Sequence, residues 1–135
     1  MLGIAIIALA VVVWIFFEKR RVDRQFENIF FGRSSLSDND FYAAFYQDSG
    51  IPYELVAGVR KVLAEELHMD VSRLIPNDDF SRNLRFLLDN DSMIDVALVE
   101  GLEKHFNIAI SDQEAENIKT VQDLIWFIHR KMLSA

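Results

Sequence analysis

The chain opens on an unbroken apolar run: Met1 to Phe17 contains no charged side chain. A helix of that length spans ~25 Å, the short end of what crosses a bilayer. Trp14 near its downstream end suits an interfacial belt, and Lys19-Arg20-Arg21 follow at once. That order predicts a single transmembrane anchor over residues 1–17, with everything after it on the cytoplasmic side. A cleaved secretory signal needs a basic start and a small-residue cleavage site. Here only the α-amino group precedes the run, and Trp14-Ile-Phe-Phe-Glu-Lys19 is a poor cleavage site. A buried core helix, the third reading, seldom lacks polar residues on every face.

Downstream the apolar positions return at helical spacing. Residues 18–37 read as a juxtamembrane segment, with Phe26, Ile29, Phe30 and Phe31 free to lie against membrane or domain. Gly32 to Ser37 is turn-forming, and Ser37 followed by Asp40 makes a capping-box-like helix start. That helix is expected over 38–47, burying Phe41, Ala44 and Phe45, with Asp48-Ser49-Gly50 ending it. A longer one begins near Pro52, as proline allows, and runs to Leu67 with Leu55, Val59, Val62, Leu63 and Leu67 on one face. Residues 68–90 form a long loop, anchored inward by Leu74, Ile75, Phe80 and Leu84, with one helical turn at 85–88. Further helices are expected over 92–106, around 112–117, and over 121–132. The 92–106 helix carries Val96, Leu98, Val99, Leu102 and Phe106 on its apolar face. No segment alternates with period two, so the predicted fold class is all-α. The organisation that follows is an anchor (1–17), a juxtamembrane segment with a short helix (18–50) and a helical domain (51–135).

At 135 residues there is room for one small domain with an appendage. The chain has no cysteine, which excludes disulfide frameworks, cysteine-ligated zinc and thiol nucleophiles. A net charge of −7 argues against nucleic acid as a partner. From Ile51 onward there are fifteen Asp/Glu against nine Lys/Arg, whereas residues 18–24 are locally basic. The anchor end therefore suits anionic lipid, and the globular end a basic protein surface.

The most informative residues are Asp91-Ser92-Met93, at the mouth of the 92–106 helix. A serine there has its hydroxyl at the start of a helix, whose positive end tolerates a phosphate. On position alone Ser92 reads as an N-cap and Asp91 as a favourable charge beside it. Further on come Leu102-Glu-Lys-His-Phe106, Ile110-Ser-Asp-Gln-Glu-Ala115, Ile118 and Thr120-Val121. In that order and at that spacing, over roughly residues 53–132, they resemble the acyl carrier proteins. The fold this resemblance implies is an acyl-carrier-like four-helix bundle, here with an extra N-terminal helix and the anchor added. It implies a covalent 4'-phosphopantetheine arm on Ser92, with Asp91 helping the loading enzyme hold its metal ion. Met93, Asp95, Glu100 and Glu103 become contacts for partner enzymes. The implied partners are a phosphopantetheinyl transferase and acyl-transferring or condensing enzymes with basic docking patches. Leu84, Phe86, Met93, Val96, Leu98, Val99, Ile110, Ile118 and Ile125 line the space where a carrier shelters its acyl chain, or are ordinary core.

The chain also departs from the family. Ala97 and Ile94 stand where many members carry acidic residues, and residues 85–88 are extra in the loop before the serine. These changes bear on which enzymes dock. They leave the acceptor serine in place.

No catalytic constellation emerges. Asp89-Asn-Asp91, Asp95 and Glu100 superficially resemble a calcium loop, but Ile94 occupies the required glycine position. His68, His105 and His129 lack metal-ligand spacing. Nucleophile elbow, phosphate loop and dinucleotide fingerprint are all missing. Glu65-Glu66 and Asp78-Asp79 read as solvated faces or loop caps. The expected function is thus a membrane-tethered, non-enzymatic acyl carrier for fatty acid, lipid or polyketide-type biosynthesis. The alternative is an unmodified carrier-fold module that anchors or regulates a partner at the membrane.

Overall fold

A computed structural model describes residues 2–87 and 96–134, the side chains of residues 2, 18, 19 and 21–23 excepted. The described residues are all helix and loop: α1 (Leu2–Phe30), α2 (Asp38–Phe45), α3 (Tyr53–Leu67), a 3-10 turn (Arg85–Leu87), α4 (Val96–Phe106), α5 (Asp112–Glu116) and α6 (Val121–Leu133). One isolated bridge, Asp79 to Thr120, is the only extended pairing among them. The chain divides into two units, residues 1–32 and residues 33–135.

The first unit is α1, which continues unbroken through the expected juxtamembrane stretch to Phe30. From Ile4 to Phe17 its large apolar side chains are exposed on every side, Ile4 at 75% and Val13 at 42%. Phe26 stacks on Phe30, ring centroids 4.5 Å apart. Among the described residues no helix is long and apolar enough to cross a membrane. The run of described apolar side chains, residues 3–17, spans ~22 Å against a hydrocarbon core of ~30 Å. The expected transmembrane helix over residues 1–17 is therefore not supported by this length.

The second unit is built on α3. Its N-cap is Pro52, and His68 ends it in the left-handed region at φ 51°, donating its N–H to Ala64 O. α3 buries Leu55, Val56, Val59, Val62, Leu63 and Leu67, the face its spacing predicts with Val56 added. α4 packs against it with opposite direction. A side chain at Gly58 would meet His105 and Phe106, and one at Gly101 would meet Glu66, so low positions on one helix face high positions on the other. Asn107, at φ 54°, ends α4. Ser111 with Glu114, and Thr120 with Asp123, form reciprocal capping boxes that start α5 and α6. α6 closes the core with Val121, Leu124, Ile125 and Ile128.

Three expected faces shift. α2 stops at Phe45, two residues short of the expected end. The turn that follows, with Ser49 donating to Tyr46 O at 2.6 Å, brings Tyr46 inward to 3% exposure and leaves Ala44 and Phe45 outside. On α4, Leu98 and Leu102 are buried but Val96 is 69% exposed. At 3.6 residues per turn it falls outside the arc centred on Leu102. In the long loop, Leu74, Phe80 and Leu84 are buried as expected, and Ile75 is half-buried.

Candidate attachment site

The loop that leads toward Ser92 is pinned along most of its described length. Asp78, read from sequence as a solvated or capping carboxylate, is 1% exposed. Its Oδ2 accepts from Ile75 N–H and from Arg33 Nη1, both at 2.8 Å, and its Oδ1 accepts from Asn83 Nδ2 at 2.8 Å. A buried carboxylate that accepts from this many donors fixes the loop around it. Asp79 continues the pattern, accepting from Ser81 N–H at 2.8 Å while its own N–H donates to Asn83 Oδ1 at 2.8 Å. The start of α6 holds the loop from the far side. Phe80 N–H donates to Lys119 O at 2.7 Å, Val121 N–H to Asp78 O at 3.0 Å, and Gln122 N–H to Pro76 O at 2.9 Å. The loop ends in the 3-10 turn, where Phe86 and Leu87 are half-buried and Arg85 is exposed.

Downstream, α4 takes up the chain at Val96. Ser92, Asp91, Met93 and Asp95 lie outside the described residues, so the site is framed by its two ends. Of the remaining expected partner contacts, Glu100 is exposed on α4. Glu103 faces the next loop instead: its Oε2 accepts Ile110 N–H at 3.0 Å, and Glu103 O accepts Ile108 N–H at 3.2 Å. The expected chamber residues Leu84, Leu98, Ile110, Ile118 and Ile125 are buried together in the domain. Phe86 and Val99 are half-buried.

At the neighbouring helix, Lys131 on α6 donates to both oxygens of Glu114 on α5, at 3.0 and 2.8 Å. That contact, with Ser111 N–H, holds the Glu114 carboxyl down at about 2. Asp70 is lowered as well, chiefly by accepting from the Ser72 backbone N–H and hydroxyl. Burial pushes the Tyr46 phenol up to about 12. Among the described residues no group of three His, Cys, Asp or Glu could hold a metal ion.

The described residues form a helical bundle that braces a long loop ahead of α4. Comparison with known proteins gives the class. Residues 57–128 match the family described as a phosphopantetheine attachment site, and the chain belongs to that family. It is similar to the acyl carrier protein of Thermosynechococcus vestitus, 35% identical over 79 residues, 58% of this chain and 93% of that protein. The acyl carrier protein of Myxococcus xanthus is 35% identical over 75 residues, 56% of this chain and 90% of the relative. That of Helicobacter hepaticus is 40% identical over 70 residues, 52% and 87% respectively. No solved structure matches the chain.

Membership makes the protein a phosphopantetheine-carrying acyl carrier, not a catalyst, with 4'-phosphopantetheine as its covalent cofactor. Its partners follow in kind: a phosphopantetheinyl transferase and acyl-handling enzymes. Nearest the attachment segment among the described residues of α4, Val96 and Ala97 face solvent, which fits an arm carried on that side of the domain.

Sequence reasoning missed two supports of this site, Arg60 and Asp78. Arg60 is 2% exposed. Its signal was present, since it falls on the apolar arc of α3 between Val56 and Leu63.

Proposed function

We propose that Ser92 is the attachment point and that the protein carries acyl groups for delivery to partner enzymes of fatty acid, lipid or polyketide-type biosynthesis. One observation carries the assignment to Ser92. Five aliphatic hydroxyls lie in the family match: Ser72, Ser81, Ser92, Ser111 and Thr120. Four of them are engaged locally. Ser72 bonds Asp70, Ser81 donates to Asp79 Oδ1 at 2.5 Å, and Ser111 and Thr120 cap α5 and α6. Ser92 stands where the resemblance to acyl carrier proteins puts the acceptor, ahead of α4 in the chain.

The arm, when attached, supplies a terminal thiol that holds acyl groups as thioesters. The chain's own residues position it: α4 and the braced loop fix the ends of the attachment segment, and Asp91 assists the transferase. Met93, Asp95 and Glu100 supply the partner surface. Glu103 contributes there through the loop that it closes at Ile110.

The carrier is tethered at the membrane through residues 1–17, with residues 33–135 in the cytoplasm. Supporting this are the exposed apolar side chains around α1 and the Arg20 guanidinium 4.4 Å above the Phe16 ring centroid. An aromatic and a cation in that arrangement suit the headgroup boundary. Tethering raises the carrier's local concentration near membrane enzymes.

The test is the intact mass of the full chain in detergent after incubation with coenzyme A, Mg²⁺ and a broad-specificity phosphopantetheinyl transferase. The wild type gains one phosphopantetheine and Ser92→Ala gains none. A folded wild type that gains nothing, even with the transferase of its own host, favours the unmodified interaction module.

A further inference from the structure

Residues 33–46 lie outside the stretch that matches the family, yet they are bonded into the domain at its least exposed polar groups. Arg60 of α3 is the centre. Its Nη1 pairs with Asp38, while Nη2 donates to Leu36 O at 2.8 Å and to Val71 O at 3.0 Å. Its guanidinium carbon sits 4.6 Å from the centroid of the buried Phe41 ring. One planar fork thus joins the N-terminal segment to the first residues of the long loop, a geometry that lysine cannot supply. Two further links run alongside: Leu36 N–H donates to Ser72 O at 2.7 Å, and Arg33 Nη1 reaches Arg73 O at 3.3 Å and Asp78 Oδ2 at 2.8 Å. All of them land between Val71 and Asp78, in the loop that delivers the chain to residues 88–95.

We propose that residues 33–46 are a built-in brace for the attachment loop, and that Arg33 and Arg60 are positioning residues for loading at Ser92. This rests on Ser92 as the attachment point. The loop has two sets of fixings, one from α6 at Pro76, Asp78 and Phe80 and one from the brace at Val71, Ser72, Arg73 and Asp78, and the two meet at Asp78. α6 belongs to the family match; the brace is this chain's addition. Releasing the brace frees Val71–Ile75 and takes the Arg33 contact from Asp78, while the α6 bonds at Pro76, Asp78 and Phe80 remain, so the lead-in to Ser92 then rests on α6 alone. Its effect is therefore on presentation to the transferase.

The experiment uses the full chain in detergent micelles and four proteins: wild type, Arg33→Gln, Arg33→Lys and Asp38→Ala. Two quantities are read below the melting transition: amide exchange by peptide, and kcat/KM for phosphopantetheine loading with coenzyme A and Mg²⁺. In Arg33→Gln, exchange across 70–75 rises about tenfold while the 80–84 and α6 peptides stay protected, as local opening requires. Loading kcat/KM falls about tenfold, in keeping with a misplaced reacting group. Arg33→Lys, which keeps a cation opposite Asp78, recovers most of both. Asp38→Ala, which removes a half-exposed partner of Arg60, gives a milder change of the same kind. Unchanged exchange over 70–75, or an equal rise in α6, overturns the brace. So does undiminished loading by an Arg33→Gln chain whose loop has opened. If wild type itself takes no phosphopantetheine, the Ser92 reading fails, and the exchange pattern alone decides whether the brace holds the loop.

Discussion

Arg60 and Tyr46 show how polar groups are handled inside this small domain. Arg60 satisfies two backbone carbonyls as well as the Asp38 carboxylate. Arg60→Met leaves Leu36 O and Val71 O without that donor, and unpaired buried groups are costly. We expect a loss of ~3 kcal/mol in urea unfolding; a loss under ~1 kcal/mol contradicts the bonding described. Tyr46 is the opposite case. Its hydroxyl is buried without a hydrogen-bond partner among the described residues. Tyr46→Phe is expected to leave stability unchanged or raise it by ~1 kcal/mol, and a marked loss argues for a partner that the hydroxyl needs. Its phenol, raised to about 12 from an ordinary 10.0, adds a consequence at high pH. The neutral form is favoured in the folded state, so its contribution is complete below pH 10 and is lost as pH rises toward 12. Neither residue stands out in the sequence at first sight. Arginine at position 60 reads as a solvated charge unless its place on the apolar arc is weighed, and the inward turn of Tyr46 depends on where α2 stops.

The helices themselves were largely legible, because α3, α4 and α6 carry a 3.6-residue apolar pattern and α2, α5 and α6 a side-chain cap at the start. α3, α5 and α6 appear within a residue or so of where spacing and caps put them. The shorter or edge-placed elements were less so. Nothing in the order Phe41, Ala44, Phe45 reveals that the helix ends early, and Val96 looks apolar enough to face inward until the arc of α4 is drawn. Contacts between elements were not readable at all. The Glu114–Lys131 pair joining α5 to α6 is one such contact, separated by 17 positions in sequence. With Glu114 at about 2 rather than its ordinary 4.5, the pair stabilises the fold fully above pH 4.5 and loses that contribution as pH falls toward 2. A Glu114→Gln chain should therefore show a shallower fall in melting temperature between pH 5 and pH 2 than wild type. The difference shrinks in high salt, since both side chains are partly exposed. Parallel melting curves for the two proteins across that range contradict the assignment.

At the scale of the molecule, an ordered set of short motifs pointed to the carrier family, and the match over residues 57–128 bears out that membership. What lies outside it had no family pattern to be read against. Residues 33–46 look like a linker with a short helix, yet their polar bonds make them part of the domain. α1 presents apolar side chains to its surroundings on all sides, and exposing so much apolar surface to water is unfavourable at ~25 cal/mol per Å². The tether predicts that the full chain stays with the membrane fraction after alkaline carbonate washing, whereas a chain lacking residues 1–17 is released. Equal release of both excludes it. The covalent arm on Ser92 is read most plainly by fragment-ion mass spectrometry of the Ser92-containing peptide from the chain purified from its own cells. Phosphopantetheine is expected on Ser92, with Ser72, Ser81, Ser111 and Thr120 unmodified; the group on any of those four, or an unmodified Ser92 in every peptide recovered, rules out attachment at Ser92.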